Sequence, residues 1–325
     1  MSIASAISDA QTKVAAAYTA CNDKGATMPA AGSQNLSNLA STISSIPSGG
    51  GDGLPAWLKD GDTHMWIDIR NSYQLDQQLR IRMIGTIDWG DGTAAQSVSV
   101  TAYTTFTHTY ATTGKYRIDL HPTSGTFYLG GASTTYNVMG TRATRTNVVC
   151  ALYQVEIGTS RITTISQYAF YYCYGLVRVY VPKTITTIGQ TYAFGFCYSL
   201  AEVEFQDYST ITSTAGSFFY GCYALQEIHG FAPPAQATIG STYRYCAALS
   251  EITIPASVTN ISSYGINGCS GLRVIHCLPT TPPTIADANA FAPPSACVIE
   301  VPSASLAAYQ AANIWSTYAS QMVGV

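Results

Sequence analysis

The sequence has little charge. Asp, Glu, Lys and Arg together make up 10% of its 325 residues, against roughly 25% in an average globular protein. The formal net charge is −3 and no basic stripe is present, so the composition argues against a nucleic-acid-binding protein. No apolar run approaches the roughly 20 residues of a membrane helix, and no basic leader precedes an apolar block. We therefore expect synthesis in a cytoplasm, with neither membrane insertion nor a secretory signal.

Catalytic and metal-binding patterns are missing as well. The sequence contains no HExxH, GxSxG, GxGxxG or phosphate-binding loop motif, and no CxxC pair. Four carboxylates fall beside repeated segments and could form a row: Glu156, Glu202, Glu227 and Glu251. A row of like charges is more typical of a solvated face than of the paired carboxylates of a glycosidase. We therefore predict no enzymatic activity, no catalytic residue, no metal site and no cofactor.

Nine cysteines are present, and five of them recur at intervals of 23 to 25 residues. These five are Cys173, Cys197, Cys222, Cys246 and Cys269. A cysteine that keeps its place in every repeat is more typical of a small buried apolar residue than of half a disulfide. We predict that the five thiols are reduced, buried and aligned in a row.

The cysteines belong to a repeated unit that fills the second half of the chain. The unit reads Ile-x-x-Ile, a polar stretch, Phe-x-x-Cys-x-x-Leu and Val-x-Val-Pro, and one copy runs from Ile162 to Pro182. A period of roughly 20–29 residues predicts a solenoid of stacked coils. Leu-x-x-Val-x-Val predicts a strand, and Phe-x-x-Cys a single helical or 3₁₀ turn. Five copies of this unit resemble the BspA-like leucine-rich repeat family.

The last part of the chain also resembles that family. Residues 301–322 are similar to the helical cap that closes such arrays. A terminal coil needs a cap because its apolar face would otherwise meet water. The resemblance implies that four residues cover the last coil: Leu306, Tyr309, Ile314 and Trp315.

Residues 54–130 predict an all-β domain. Apolar and polar residues alternate in four segments that turn residues separate, at 65–70, 79–89, 97–110 and 115–122. The motif DWGDGT, followed by HTY and GKY, resembles the PKD-type domain, an immunoglobulin-like β-sandwich, over roughly Gly85 to Leu120. The resemblance implies a core filled by Trp89, Tyr110 and Tyr116.

The WGDGT turn of this motif has a structural explanation. Gly90 and Gly92 allow the positive φ angles that a tight turn requires. Asp88 and Asp91 can accept hydrogen bonds from neighbouring backbone N–H groups. A calcium site is disfavoured because the loop offers too few carboxylates.

The N-terminal residues predict helices. Apolar residues recur at helical spacing over residues 3–21, a second short pattern covers 35–46, and SGGGDG at 48–53 predicts a flexible linker. So small a helical hairpin buries little surface by itself. We therefore expect it to bind further copies of the chain, as in a trimer, or a tail partner.

Together these patterns predict a mainly β protein with a small N-terminal helical module, an immunoglobulin-like β-sandwich, a leucine-rich-repeat solenoid and a C-terminal helical cap. The predicted boundaries are 1–47 for the helical attachment module, 48–53 for the Gly-rich linker, 54–130 for the PKD-like sandwich, 131–302 for the solenoid and 303–325 for the cap helix.

The positions around each repeated cysteine vary, and tyrosine is common there. The mixture of Tyr, Ser, Gly, Asn and Arg is close to that of antibody binding loops, and tyrosine rings suit the flat faces of sugars. The alternative is that these rings only pack between coils. We predict an exposed ligand-binding strip formed by Tyr168, Tyr171, Tyr174, Tyr192, Tyr198, Tyr220, Tyr223 and Arg244.

The predicted order of attachment module, spacer and recognition array leads to three functional hypotheses. BspA-like repeats and PKD-type domains occur in bacterial adhesins and on phage tail fibres. The first hypothesis is a phage or prophage tail fibre, located in the virion, that docks on tail or baseplate proteins and recognises a host cell-surface glycan or protein. The second is a purely structural virion decoration protein. The third is a bacterial surface adhesin without a recognisable signal peptide.

Overall fold

The computed structural model describes residues 61–130, 135–141, 151–189, 191–207, 211, 216–229 and 237–325. The predicted helical module and the Gly-rich linker lie outside the described residues, and so does the assembly expected of them. The described chain is mainly β, as predicted.

The first five strands are antiparallel. Strand β5 pairs with β1 along one edge and with β2 along the other, and the far edge of β2 pairs with both β3 and β4. Apolar residues alternate along β1, so Met65, Ile67 and Ile69 are all buried. The strands are β1 (Thr63–Ile69), β2 (Asp76–Asp88), β3 (Gln96–Ser99), β4 (Thr104–Thr109) and β5 (Gly114–Leu129).

The WGDGT turn has the structure that the sequence predicts. Gly90 and Gly92 have φ angles of 75° and 83°. The Asp88 carboxylate accepts the N–H of Gly90 at 2.9 Å, and the Asp91 carboxylate accepts the N–H of Thr93 at 3.1 Å. The predicted core residues Trp89, Tyr110 and Tyr116 lie directly below, where the first two are buried and Tyr116 is partly buried.

The sheet of the first five strands continues into the repeats. The free edge of β1 pairs antiparallel with β8 (Leu152–Glu156), the first repeat strand, so one nine-stranded sheet crosses the predicted boundary near residue 130. A sandwich has two facing sheets, whereas these strands are hydrogen-bonded into one. The predicted immunoglobulin-like sandwich is therefore not confirmed, because β1 uses its second edge to extend the repeat sheet.

The repeat strands are parallel and in register. One row starts at β8 and continues through β10 (Arg178–Val181), β12 (Glu202–Phe205) and β13 (Glu227–His229). A second row holds β15 (Glu251–Ile254), β17 (Val274–Cys277), β19 (Val298–Val301) and β20 (Met322–Gly324). Within each row, equivalent residues of successive repeats are direct neighbours, which is the arrangement that stacked coils require.

Short two-residue strands accompany several of the repeats. They pair in the groups β9–β11 and β14–β16–β18, and β6 forms a hairpin with β7 before the array. Their bounds are β6 (Tyr136–Asn137), β7 (Gly140–Thr141), β9 (Thr164–Ile165), β11 (Thr187–Ile188), β14 (Thr238–Ile239), β16 (Asn260–Ile261) and β18 (Thr284–Ile285).

The core of the array is a set of vertical stacks. The rings of Phe170 and Phe194 stack with centroids 5.2 Å apart, and Phe219 continues the stack at 5.5 Å from Phe194. Each Phe-x-x-Cys segment is a hydrogen-bonded turn in which, for example, the N–H of Cys173 donates to the Phe170 carbonyl at 3.0 Å. A 3₁₀ helix forms at Ser241–Tyr243.

The end of the chain differs from the predicted cap helix. Helix α1 (Leu306–Ala311) is six residues long, a 3₁₀ helix follows at Trp315–Gln321, and β20 then adds to the edge of β19. This strand satisfies backbone groups that a helix would leave unpaired at the sheet edge. Of the predicted covering residues, Tyr309 and Trp315 are buried, and both donate to carbonyls of the preceding coil.

No helix in the described part of the chain is long and apolar enough to cross a membrane.

The two turn glycines give a matched pair of stability predictions. A Cβ on Gly92 would meet no atom within 4 Å, whereas a Cβ on Gly90 would lie 2.1 Å from the Arg117 carbonyl oxygen. Gly92→Ala should therefore lower the free energy of unfolding by only about 1 kcal/mol, because the alanine must adopt the left-handed conformation but meets no neighbour. Gly90→Ala also displaces the backbone of β5 and should cost about 3 kcal/mol or more. Urea unfolding of the full chain measures both, and equal costs would contradict the close contact.

Candidate functional site

The backbone before each repeated cysteine has an unusual conformation. Tyr172, Phe196 and Tyr245 have φ angles of 61°, 57° and 63°, and Gly221 and Gly268 occupy the same position with 74° and 78°. This left-handed region costs an ordinary L-residue roughly 1–2 kcal/mol. Bulky residues at such angles occur where the surrounding structure or a function requires them.

The rings at this position explain why glycine alternates with aromatic residues. Tyr172 stacks on Phe196 with ring centroids 4.8 Å apart. A Cβ on Gly221 would lie 2.8 Å from the Phe196 ring, and a Cβ on Gly268 would lie 2.3 Å from the Tyr245 ring. The rings of Phe196 and Tyr245 thus occupy the space of the next coil's side chain, and each of those next coils carries glycine.

The structure brings all eight predicted site residues together. Ring contacts connect them from coil to coil, including Tyr168 to Tyr192 at 6.1 Å, Tyr174 to Tyr198 at 4.9 Å and Tyr198 to Tyr223 at 5.3 Å. We define the aromatic surface as Tyr168, Tyr171, Tyr172, Tyr174, Tyr192, Phe196, Tyr198, Tyr220, Tyr223, Arg244, Tyr245 and Tyr264.

Four members of the aromatic surface were not among the predicted site residues: Tyr172, Phe196, Tyr245 and Tyr264. The sequence contains a signal for them, because the first three directly precede a repeated cysteine and Tyr264 precedes one by five residues, as Tyr168 and Tyr192 do. The left-handed backbone at these positions cannot be read from a pattern of apolar residues.

Exposure divides the aromatic surface into two parts. Tyr198, Tyr223 and Tyr264 are 41%, 45% and 37% exposed, and most of the other members are half-buried. The expectation that all the tyrosines are exposed is wrong for Tyr171, which is 7% exposed. Its ring lies against neighbours in its own coil and the next, including Phe196 at 5.8 Å.

Burial affects three hydroxyl groups of the aromatic surface. Desolvation by burial raises the pKa of the Tyr168, Tyr198 and Tyr220 hydroxyls, and the nearby Arg244 guanidinium partly offsets the rise at Tyr220. Each of these three phenols therefore keeps its proton and can both donate and accept a hydrogen bond. Flat apolar faces with neutral hydroxyl groups can stack on a ligand and hydrogen-bond it.

Comparison with known families identifies the array. Residues 148–273 and 236–306 match the family described as the BspA type leucine rich repeat region, with six copies. This part of the chain is a BspA-type leucine-rich repeat region. The match does not include the strands before residue 148, so the resemblance to the PKD-type domain stays a prediction.

Three solved structures are similar to part of the chain. A leucine rich cell surface protein from Faecalibacterium prausnitzii A2-165 is 24% identical. The match covers 45% of this chain and 41% of that protein, with a TM-score of 0.36. TpLRR, from T. pallidum, is 25% identical. The match covers 38% of this chain and 57% of TpLRR, with a TM-score of 0.30.

A leucine-rich repeat protein from Bacteroides ovatus ATCC 8483 is 19% identical. The match covers 53% of this chain and 53% of that protein, with a TM-score of 0.33. The chain therefore spans about half the length of the solved structures that it matches. No curated protein matches the chain.

The cysteines of the BspA-type repeats form a row below the aromatic surface. All five are buried, as predicted. The Sγ of Cys197 donates to the Phe170 carbonyl of the preceding coil at 3.0 Å, and Cys222 donates to Phe194 in the same way at 3.1 Å. Cysteine thus adds a hydrogen bond between coils to its apolar packing, a contribution that the spacing of the sequence does not reveal.

The strands of the BspA-type repeats carry several charge pairs. The Arg178 guanidinium lies 2.9 Å from a Glu204 carboxylate oxygen and 3.2 Å from one of Glu202, and His276 lies 2.6 Å from Glu300. The predicted row of carboxylates is incomplete, since Glu156 is buried and accepts a hydrogen bond from Gln154. These partners fit a solvated face with local charge pairs.

The strand face also contains a cleft. Strands β13 and β15 are not paired, so the sheet is interrupted there among the described residues. The resulting cleft of about 380 Å³ is lined by Glu227, His229, Glu251 and His276, among others. On the cysteine side the same two coils stay joined, because Cys246 Sγ bonds to the Phe219 carbonyl at 3.2 Å. The cleft is the second candidate binding surface of the repeats.

Buried thiols make the stability of the repeats depend on alkaline pH. Burial raises the pKa of Cys197, Cys222 and Cys246, and raises that of Cys269 to about 12. The unfolded chain releases these protons above about pH 8.5, whereas the folded chain holds them. Stability should therefore be unaffected by thiols below about pH 8.5 and should fall above it by about 1.4 kcal/mol per pH unit for each buried thiol.

Urea unfolding at increasing pH tests this prediction with Cys222→Ala as the matched variant. The variant loses one titrating thiol, so its stability should fall less steeply between about pH 9.5 and 10.5, by about 1.4 kcal/mol per pH unit. The difference in slope is independent of the cavity that the substitution leaves. Identical slopes for the two proteins would contradict the burial of a protonated thiol at this position.

Proposed function

We propose that the protein is a non-enzymatic recognition protein that binds a cell-surface glycan or protein through its repeats. The observation that carries the proposal is the aromatic surface, which runs without interruption across the coils from Tyr168 to Tyr264. Exposed apolar surface of this kind is uncommon on proteins that bind nothing. Rigid tyrosines fixed by their neighbours bind with little loss of conformational entropy.

Packing between coils accounts for part of the aromatic surface and not for the rest. The buried Tyr171 and the stacked pair Tyr172 and Phe196 fill space between coils. Tyr198, Tyr223 and Tyr264 leave more than a third of their surface in water. We assign packing to the first group and ligand contact to the second.

Two locations fit such a protein. BspA-type repeats are typical of bacterial cell-surface proteins, which favours the adhesin hypothesis. The tail-fibre hypothesis, with docking on tail or baseplate proteins and trimer formation through residues 1–47, rests on the predicted order of segments. None of the similarities described above involves a tail fibre. We therefore propose a surface recognition protein and place the bacterial surface before the virion.

Substitution of the two exposed tyrosines of neighbouring coils tests the proposal. The full chain is first screened on an array of bacterial and host-tissue polysaccharides and proteins. Tyr198→Ser with Tyr223→Ser should then weaken retention on the best target at least about tenfold, since aromatic anchors dominate such interfaces. Stability should change little, by about 0.5 kcal/mol per site, because both rings are largely exposed.

Tyr73→Ser is the matched control, because Tyr73 is 60% exposed and lies outside the repeats. This variant should bind as the unaltered chain does. Retention that survives the double substitution would contradict a role for the aromatic surface and would direct attention to the cleft between β13 and β15. A folded chain that is retained by no target would contradict the proposed function as a whole.

A further inference from the structure

The aromatic surface contains one cationic side chain. The position two residues before the repeated cysteine is occupied by Tyr171, Gly195, Tyr220, Arg244 and Asn267 in successive coils. Only one coil therefore places a charge there. None of the twelve residues of the aromatic surface is acidic. The positive charge of Arg244 is thus a local feature of a surface that is otherwise uncharged.

Arg244 is held by aromatic rings of three coils. Its guanidinium carbon lies 3.7 Å from the ring centroid of Tyr264, 4.8 Å from that of Tyr245 and 5.2 Å from that of Tyr220. Cation–π contacts of this kind stabilise a guanidinium without neutralising its charge. The rings therefore fix the position of the cation and leave its charge available.

The hydrogen-bonding groups of Arg244 are largely unused. Within the described residues its side chain donates one hydrogen bond, from Nη2 to the Tyr245 hydroxyl at 3.2 Å, and its Nε has no acceptor. No carboxylate of the described residues forms an ion pair with it, whereas Arg117 and Arg178 each have one within 3 Å. Because Nε is buried, an anion supplied from outside would pair with the charge through the terminal Nη groups.

The guanidinium is continuous with the exposed tyrosines. Tyr198 contacts Tyr223 at 5.3 Å, Tyr223 lies 6.4 Å from Tyr245, and Tyr245 contacts Arg244. These residues belong to three successive coils, which are about 5 Å apart. A ligand that stacks on Tyr198 and Tyr223 therefore reaches Arg244 within about two coil spacings.

We propose that the aromatic surface selects saccharides that carry an anionic group, a carboxylate or a phosphate, and that Arg244 binds this group while Tyr198 and Tyr223 stack on the sugar rings. The inference rests on the proposed function and gives its ligand a chemical class. A guanidinium forms two parallel hydrogen bonds with either anion. The chain as a whole carries a net charge of −3, so selection of an anion requires a local cation such as Arg244.

Titration of the full chain with paired saccharides tests the inference. The first pair is an oligogalacturonate and its methyl ester, which removes the charge and keeps the sugar backbone. The second is a phosphorylated mannose oligosaccharide and its dephosphorylated form. The charged member should bind at least about ten times as tightly as the neutral member, and added salt should reduce this ratio of affinities. The pair with the larger ratio identifies the preferred anion.

Variants of Arg244 show whether the ratio depends on this side chain. Arg244→Gln should bring the two affinities of each pair together, because the charged member loses the cation that distinguishes it from the neutral member. Arg244→Lys retains the charge without the planar fork and should keep part of the ratio, which also controls for loss of packing. The matched control is Arg82→Gln, because Arg82 lies 5.0 Å over the Tyr128 ring outside the repeats and should leave the ratio intact.

The outcomes separate this inference from the proposed function. Equal affinities for charged and neutral saccharides, or a preference that survives Arg244→Gln, would overturn the inference and leave recognition by the aromatic surface standing. Absence of binding to either member of both pairs, while the chain is retained on an uncharged target, would also overturn it. A chain that binds neither these saccharides nor any array target would overturn both.

Discussion

The structure depends on one constraint: each coil buries its apolar face only against an equivalent coil held in register. The phenylalanine stack and the parallel strands impose this register, and the thiols of Cys197, Cys222, Cys246 and Cys269 bond to a carbonyl of the coil before. At the start of the row Asn137 makes a different connection, because its side chain donates forward to the Tyr171 carbonyl at 2.8 Å. Every position of the repeat thereby becomes a vertical file of side chains.

The files explain why the variable positions differ from coil to coil. A ring in one coil occupies the space above the next, so Phe196 requires glycine at 221 and Tyr245 requires glycine at 268. The inner rings of the aromatic surface therefore pack between coils, whereas Tyr198, Tyr223 and Tyr264 at its outer edge are exposed. The two faces of the array also differ, since the cysteine side stays closed where the strand side opens into a cleft between β13 and β15.

Much of the repeat fold could be predicted from the sequence, because period, apolar residues and burial are linked directly. The repeat family, the buried cysteines and the WGDGT turn follow from such local patterns. The pairing of β1 with β8 could not be predicted, since alternation of residues does not specify the partner of a strand edge. The burial of Tyr171 was missed for a related reason, because it depends on rings in the next coil.

The central claim is that the outer edge of the aromatic surface contacts the ligand. Hydroxyl-radical footprinting of the full chain, free and bound to its target surface, measures this contact for each tyrosine by mass spectrometry. The account predicts that binding protects Tyr198, Tyr223 and Tyr264 from oxidation and leaves Tyr73 unchanged. Protection confined to His229 and His276 in the strand-face cleft, with the three tyrosines oxidised as fast as in the free chain, would contradict it.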